Sequence, residues 1–170
     1  MAMSAPVLAE LSALVIEDNK HMRALLHALL PTLGIRQIIE CTDGAAGYTA
    51  LREKRPDFVL TDLVMEPMDG IGFARQVRTA SDSPNPYIPI ILMTGHTERV
   101  WVEAARDAGV TEFLVKPITL QNLQSRIMEV IERPRPFVRC ATYFGPDRRR
   151  RRKDPDYAGP RRRKSDIAIV

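Results

Sequence analysis

The sequence predicts an α/β fold in which helices cover both faces of a five-stranded parallel sheet, a doubly wound arrangement. Short runs rich in β-branched residues alternate five times with amphipathic stretches of helical length over residues 1–132. The strand runs are almost wholly apolar, which is typical of a parallel sheet that is covered on both faces. Right-handed crossovers then place any ligand chemistry at the carboxyl ends of the strands.

Each predicted strand is an apolar run that ends in polar residues. The five runs are SALVIED from Ser12, IRQIIEC from Ile35, FVLTD from Phe58, IPIILMT from Ile88 and EFLVK from Glu112. The predicted helices follow these runs and span residues 20–32, 44–54, 70–79, 98–108 and 119–132. In the fourth helix we expect Trp101 to pack on the sheet, and Val100 and Val102 to lie in the core or, as the alternative, to be exposed for docking.

Charge divides the chain into two parts of opposite sign. Residues 133–170 hold 13 of the 25 Lys+Arg but only 4 of the 21 Asp+Glu, a net charge of +9, which leaves 12 against 17, or −5, for residues 1–132. The first part has the size of one compact domain, whereas the second is rich in proline and poor in aliphatic residues. We predict a lead at 1–10, a domain at 11–132, a linker at 133–142, a ligand-binding segment at 143–166 that orders on its ligand, and a C-terminus at 167–170.

Composition also limits the class of protein. Two cysteines, Cys41 and Cys140, are too few for a disulfide framework and fit a reducing cytoplasm. No apolar run reaches about 18 residues, so no membrane span is expected. Because the chain has no Walker or Gly-x-Gly-x-x-Gly loop, we do not expect the domain itself to bind a nucleotide.

Acidic residues stand at the ends of two predicted strands. Glu17 and Asp18 end the first strand, and Asp62 ends the third. Three carboxylates at one edge of a sheet repel one another unless a cation joins them, and oxygen ligands suit Mg²⁺. A carboxylate beside Mg²⁺ can attack phosphorus, since the metal offsets the developing charge. Asp62, alone at its strand end, is the predicted nucleophile and phosphoryl acceptor.

Two further strand ends carry groups that suit a phosphoryl group. Thr94 ends the fourth strand and supplies a hydroxyl, and Lys116 follows the fifth and supplies a cation. A phosphoryl group brings about −1.5 to −2 charges. We expect the repositioning of Thr94 and Lys116 around that charge to be the trigger of a switch.

Together these residues resemble the receiver domain of the bacterial two-component response regulators, the family with the CheY fold. The resemblance covers residues 11–132 and rests on five matches in order: Glu17-Asp18, Asp62, MEPMDG from Met65, Thr94-Gly95 and EFLVKP ending at Pro117. It implies the strand order 2-1-3-4-5 and transfer of a phosphoryl group to Asp62 from a phosphohistidine, with a histidine kinase as the implied partner.

The same resemblance assigns roles to residues that spacing alone does not single out. It implies that Val64 offers its carbonyl oxygen to the metal. It implies that Phe113 is the aromatic switch residue, whose ring turns inward when Thr94 moves toward the phosphoryl group. It also implies a cis peptide bond between Lys116 and Pro117.

The second part of the chain contains one short unit twice. Tyr143 begins YFGPDRRR, and fourteen residues later Tyr157 begins YAGPRRRK. Arginine matches the guanine edge, phosphate and base faces, tyrosine supplies a stacking face, and Gly-Pro favours a turn. Two guanines and two phosphates in one two-fold symmetric molecule describe cyclic di-GMP. The predicted contacts are Tyr143, Arg148, Arg149, Arg150, Arg151, Asp154, Tyr157, Arg161, Arg162, Arg163 and Asp166, with the arginine register left open.

This tail resembles the arginine-rich extensions of the Cle group, the CheY-like cyclic di-GMP effectors. The resemblance implies a cytoplasmic, non-enzymatic signalling protein that binds cyclic di-GMP as a stacked dimer. It further implies an action on the flagellar motor switch in motility and surface attachment, with recruitment to the flagellar base. The alternative is a phosphorylation-driven response regulator whose basic tail binds nucleic acid or another polyanion. A third interpretation, a phosphate sink for histidine kinases, needs only the receiver.

Overall fold

The structure, a computed structural model, describes residues 8–148 and 167–169. Five parallel strands form its main sheet: β1 (Ser12–Ile16), β2 (Gln37–Cys41), β3 (Phe58–Asp62), β4 (Ile90–Thr94) and β5 (Glu112–Val115). Their order across the sheet is β2-β1-β3-β4-β5, which confirms the predicted order and the predicted fold class.

Five helices follow the strands at the predicted positions, with bounds that agree to within one residue. They are α1 (Lys20–Thr32), α2 (Gly44–Lys54), α3 (Gly70–Thr79), α4 (Arg99–Ala108) and α5 (Leu120–Glu132). All except α4 begin at a side chain that accepts hydrogen bonds from the first free backbone N–H groups, namely Asn19, Asp43, Asp69 and Thr119. Within the described part of the chain, no helix is long and apolar enough to cross a bilayer.

Alternate side chains of each central strand enter two separate hydrophobic layers. Val15 of β1 packs in one layer with Leu26 of α1 and Leu123 of α5. Its neighbours Leu14 and Ile16 belong to the opposite layer, which includes residues of α2, α3 and α4. Full burial of one such side chain stabilises the fold by about 1.5–3 kcal/mol. With both faces covered, the polar residues are left at the strand ends.

Two strands begin later than the sequence predicts, because local hydrogen bonds use their first residues elsewhere. The N–H of Ile35 donates to the carbonyl of Leu30, 3.0 Å away, and so completes the end of α1. The N–H of Ile88 donates to the carbonyl of Asn85 at 3.3 Å in a turn. Both side chains are nevertheless fully buried, which explains their strand-like sequence pattern.

The fourth helix is more exposed than predicted. Val100, Trp101 and Val102 have exposed fractions of 67%, 40% and 36%, so the expected core positions are wrong and the exposed alternative holds. The buried residues of α4 are Ala105 and Ala108. Their small side chains let the helix approach its neighbours closely but anchor it weakly.

Three further strands follow the receiver-like part of the chain. β6 (Phe137–Cys140) pairs antiparallel with both β7 (Tyr143–Pro146) and β8 (Ile167–Ile169), in the order β7-β6-β8. The stretch 133–142, predicted as a linker, therefore contains a strand. Tyr143 and Phe144, predicted to order only with a ligand, are already buried. The structure thus departs from the prediction for residues 133–148.

Aromatic contacts explain why this hairpin packs on the domain. Tyr87, which precedes β4, lies between Phe137 and Phe144, with ring centroids 5.1 and 5.2 Å away. Pairs of aromatic rings contribute to stability beyond the area that they bury. The few aliphatic residues and many prolines of residues 133–148 give no sign of this aromatic cluster in the sequence. Pro146 is tolerated because β7 is an edge strand.

The hairpin also covers a buried arginine on α3. Arg78 donates from Nε to the carbonyl of Gly109 at 3.0 Å, from Nη1 to that of Pro86 at 2.7 Å and from Nη2 to the hydroxyl of Thr111 at 3.4 Å. The ring of Phe137 lies 5.0 Å from its guanidinium carbon. Burial lowers the pKa of Arg78 to about 9, so the group is charged at neutral pH. Its hydrogen bonds join the loops at Pro86 and Gly109, against which the hairpin packs.

Candidate functional site

Three carboxylates meet at the carboxyl edge of the main sheet. Glu17 and Asp18 follow β1, and Asp62 ends the neighbouring parallel strand β3. One oxygen of each lies within 4.8 Å of the others. Glu17 and Asp62 are buried, whereas Asp18 is exposed to solvent. The structure therefore brings together the three acidic residues that the sequence predicts.

A lysine holds two of these carboxylates together. Nζ of Lys116 donates to Oδ1 of Asp62 at 2.7 Å and to Oε2 of Glu17 at 3.3 Å. Burial lowers the pKa of Lys116, but its hydrogen bond to Asp62 and the charges of both acids outweigh that effect and raise it. Burial, and then the charge of Asp62, raises the pKa of Glu17. The raised Glu17 pKa shows that one ammonium group does not fully offset the burial of this acidic cluster.

The acidic cluster fits Mg²⁺. Its donors are carboxylate oxygens, the hard ligands that Mg²⁺ prefers, and the exposed side of Asp18 leaves room for the waters that the ion retains. Glu17, Asp18 and Asp62 would hold the ion, with the carbonyl of Val64 as the further ligand that the resemblance implies. Val64 lies two residues beyond Asp62, in an exposed position.

The acidic pair is held in place by a residue that sequence reasoning missed. Nη1 of Arg23, on α1, donates to the carbonyls of Glu17 at 2.7 Å and Asp18 at 2.9 Å. The N–H of Asn19 donates to Oε1 of Glu17 at 3.1 Å. An arginine in the first turns of a helix carries no sequence signal for this role, because its partners are backbone carbonyls.

A close contact fixes the start of α3 against the backbone of Asp62. A Cβ atom on Gly70 would lie 2.1 Å from the carbonyl oxygen of Asp62, so only glycine fits there. The N–H of Gly70 donates to the carbonyl of Leu63 at 3.1 Å. The backbone that carries Asp62 is thereby packed directly on a helix.

The predicted switch residues flank the cluster. Thr94 is buried at the end of β4, and its hydroxyl accepts a hydrogen bond from the N–H of His96 at 2.8 Å. Its carbonyl accepts a hydrogen bond from the N–H of Lys116 at 2.9 Å, and the Lys116–Pro117 bond is cis, as the resemblance implies. Phe113 is half-buried against the hydrophobic layer of α2, α3 and α4. The threonine hydroxyl thus faces the loop that leads into α4.

Only two of the predicted tail contacts can be located. Tyr143 is buried, and its hydroxyl donates to the carbonyl of Pro146 at 2.8 Å. The guanidinium carbon of Arg148 lies 3.9 Å from the centroid of the Tyr143 ring. Tyr143 therefore serves the hairpin, which departs from its predicted role as an open stacking face. The other predicted contacts lie outside the described residues: Arg149, Arg150, Arg151, Asp154, Tyr157, Arg161, Arg162, Arg163 and Asp166.

Comparison with known proteins agrees with this geometry. Residues 13–128 match the response regulator receiver domain family. The chain belongs to this family. Its receiver is 33% identical over 120 residues to the chemotaxis protein CheY of Pseudomonas aeruginosa, covering 71% of this chain and 95% of that protein. It is 30% identical over 131 residues to CheY-3 of Vibrio cholerae, covering 77% of this chain and 99% of that protein.

Solved structures show the same fold for this receiver. CheY4 of Vibrio cholerae superposes with a TM-score of 0.65 at 24% identity, covering 71% of this chain and 98% of that one. The receiver domain of the sensor histidine kinase PA1611 of Pseudomonas aeruginosa gives a TM-score of 0.62 at 27% identity, covering 70% and 94%. In that structure a magnesium ion is coordinated in the active-site cleft. The chain is thus a CheY-like receiver protein of two-component signalling.

Proposed function

We propose that this receiver protein is a non-enzymatic signalling protein with two inputs. Asp62 accepts a phosphoryl group from a phosphohistidine of a histidine kinase, and the arginine-rich tail binds cyclic di-GMP. Both inputs act on a protein partner, the flagellar motor switch. The observation that carries the first input is the bridge from Lys116 to Asp62 and Glu17 beside the exposed carboxylate of Asp18.

The geometry supports attack by Asp62 on phosphorus. An oxygen of Asp62 bonds to phosphorus while the bond from phosphorus to the histidine nitrogen breaks and that nitrogen keeps the electron pair. Lys116 orients the attacking carboxylate through Oδ1 and afterwards pairs with the phosphoryl oxygens. Bound Mg²⁺ supplies neutralisation of the charge that builds on those oxygens. The hydroxyl of Thr94 gives up its hydrogen bonds to the His96 backbone and donates one to the new phosphoryl group.

Phosphoryl transfer is tested with a small-molecule phosphoryl donor and intact-mass measurement. We expect the chain to gain the mass of one phosphoryl group in the presence of Mg²⁺, and Asp62→Asn to gain none. Asp82→Asn is the matched control, because Asp82 is an acid on the receiver surface that pairs with Arg52. Labelling of Asp62→Asn, or no labelling of the unchanged chain, would overturn this part of the proposal.

The second input is supported by where the two repeated units start and end. The first unit begins in β7, and the second ends at Lys164, three residues before β8 begins at Ile167. Both strands pair with β6, with Phe144 and Ile167 opposite the same residue, Arg139. Neighbouring strands lie about 4.8 Å apart, so these two positions are about 10 Å apart across the sheet. That separation favours two units that act on one ligand.

Exposed apolar residues on the receiver support a protein partner. The exposed Val100, Trp101 and Val102 of α4 are accompanied by exposed Val115 of β5 and Leu120 of α5. Large apolar residues exposed on adjoining elements are typical of a protein interaction site. The curated relatives are chemotaxis proteins by name, and the flagellar motor switch is the partner proposed for this surface.

Cyclic di-GMP binding is tested by calorimetric titration. The full chain is compared with a chain that ends at Arg148, because the docked hairpin has to stay intact in the control. We expect heat of binding from the full chain and none from the shortened chain. Absence of heat from the full chain, or equal heat from both, would contradict the proposal.

The polyanion alternative predicts a different pattern. Binding dominated by phosphate contacts weakens log-linearly with salt and tolerates many ligands. Recognition of the guanine edge should instead favour cyclic di-GMP over cyclic di-AMP at constant salt. Equal affinity for the two dinucleotides together with a steep salt slope would therefore favour the polyanion.

A further inference from the structure

Residues 143–148, the described part of the first repeated unit, pack on the receiver. The Tyr143 hydroxyl donates to the Pro146 carbonyl, and a Cβ atom on Gly145 would lie 2.5 Å from that hydroxyl. The same Cβ would lie 3.1 Å from the Cα of Gly109, at the end of α4. The Tyr, Gly and Pro of this unit thus belong to β7 and pack closely on the backbone that follows α4. Arg148 comes two residues after them.

Arg148 contacts both β7 and the receiver. Arg148 stacks on the Tyr143 ring, and its Nη1 donates to Oδ1 of Asp107 at 2.6 Å. We call this arrangement of Arg148, Tyr143 and Asp107 the clasp. The ion-paired side chains of Arg148 and Asp107 have exposed fractions of 31% and 55%. An ion pair with this exposure is weak, so an anionic ligand can compete for the arginine.

The clasp neutralises an unfavourable charge on α4. Asp107 is the penultimate residue of the helix. A carboxylate is disfavoured there because the last carbonyls give the helix end a partial negative charge. Arg148 compensates for that charge at 2.6 Å, together with Arg106, whose Nε lies 3.7 Å from the same oxygen. The departure of Arg148 would therefore destabilise the C-terminal turn of a helix whose buried residues are only two alanines.

The N-terminal end of α4 is linked by hydrogen bonds to the proposed phosphorylation site. The hydroxyl of Thr94, the proposed phosphoryl partner, is bonded to His96 in the loop that enters α4. The ring of His96 lies 6.0 Å from that of Trp101 in the first turn of α4. Movement of Thr94 toward a phosphoryl group has to break its bonds to His96. The same helix therefore contacts the phosphorylation switch at one end and the clasp at the other.

We propose that the clasp is an autoinhibitory contact that couples the two inputs through α4. It rests on the proposed binding of cyclic di-GMP by the tail. Without the ligand, the ion pair with Asp107 makes Arg148 less available for binding. When the ligand binds Arg148, that ion pair is lost and the C-terminal turn of α4 is destabilised. Phosphorylation shifts α4 from its other end and weakens the same ion pair. Each input thus favours the other. A phosphoryl mimic bound at Asp62 and cyclic di-GMP bound by the tail raise each other's affinity by the same factor.

The coupling is tested by titrating cyclic di-GMP with and without beryllofluoride and Mg²⁺, which mimic the phosphoryl group on Asp62. From the strength of an exposed ion pair we expect beryllofluoride to raise the affinity of the unchanged chain about two- to fivefold. Asp107→Asn should bind about two- to fivefold more tightly without beryllofluoride and lose most of the response to it. Asp107→Glu keeps the charge and should retain the response.

A matched control lies on the same helix. Glu103 pairs with Arg99 at 2.6 Å, an ion pair of α4 that does not involve the hairpin. Glu103→Gln should keep both the affinity and the beryllofluoride response of the unchanged chain. A Glu103→Gln effect equal to that of Asp107→Asn would show a general charge effect and overturn the clasp.

Trp101 provides a second measurement, because it is the chain's one tryptophan. Cyclic di-GMP should change its emission in the unchanged chain, and the change should be much smaller in Asp107→Asn. If the unchanged chain binds cyclic di-GMP but Asp107→Asn has the same affinity and the same coupling, the clasp is overturned and the ligand proposal stands. If the unchanged chain binds no cyclic di-GMP, both are overturned.

Discussion

At the scale of single residues, the site depends on how two buried acids are compensated. Glu17 and Asp62 lie too close to one another to be buried without a cation, and Lys116 supplies it. Mg²⁺ would take over part of that role. In the proposed phosphoryl transfer the lysine would then be available for the phosphoryl group.

Replacing this lysine should therefore destabilise the metal-free protein. Lys116→Met leaves two buried carboxylates without their donor, and we expect unfolding to become easier by about 1–3 kcal/mol. Mg²⁺ should restore much of that loss. Thermal unfolding with and without Mg²⁺ measures both effects. Lys54→Met, at an exposed position of α2, should change stability by no more than about 0.5 kcal/mol; equal effects of the two changes would contradict this role for Lys116.

At the scale of elements, the hairpin of β6 and β7 is part of the folded receiver. The rings of Phe137 and Phe144 pack against that of Tyr87, and Arg135 pairs with Glu112 at the start of β5. Its strands are only four residues long, and Gly145 and Pro146 lower the strand propensity of β7. Contacts with the receiver stabilise them instead. This is why the stretch had the pattern of a linker in the sequence.

A methyl group at Gly145 should loosen this hairpin. Gly145→Ala places Cβ against the Tyr143 hydroxyl and the Gly109 backbone, and we expect a loss of about 1–3 kcal/mol. Thermal unfolding and hydrogen exchange of the β6 and β7 amides measure the effect. Gly95→Ala is the control, because a Cβ there meets nothing within 4 Å. Unchanged stability and exchange in Gly145→Ala would show that β7 is not tightly packed at this position.

At the scale of the whole molecule, the acidic cluster and the hairpin lie at opposite edges of the main sheet. The acidic cluster lies at the carboxyl edge, whereas the hairpin contacts Gly109, and Arg135, just before it, pairs with Glu112, at the amino end of β5. Residues 133–170 carry a net charge of +9, against −5 for residues 1–132. The two ends of α4 lie near the acidic cluster and the hairpin respectively, through Thr94 with His96 and through Gly109.

We therefore expect the receiver to function without most of the tail. A chain that ends at Arg148 keeps both core layers, the hairpin of β6 and β7 and the clasp. Its rate of labelling by a small-molecule phosphoryl donor should be within about twofold of the full chain, because Asp62 and Lys116 are untouched. A chain that ends at Glu132 loses the contacts of Phe137 and Phe144 with Tyr87 and should unfold at a lower temperature. Equal melting temperatures of these two shortened chains would contradict the structural role of the hairpin.

The five βα units and the acidic site follow from local patterns in the sequence. Strand and helix periods are local properties, and parallel pairing brings Glu17, Asp62 and Lys116 to one edge wherever the strands end. The tertiary structure alone decided the place of the hairpin, the exposure of α4 and the contacts of Arg148. These depend on side chains far apart in the chain, such as Tyr87 with Phe137 and Asp107 with Arg148, whose meeting no local period encodes.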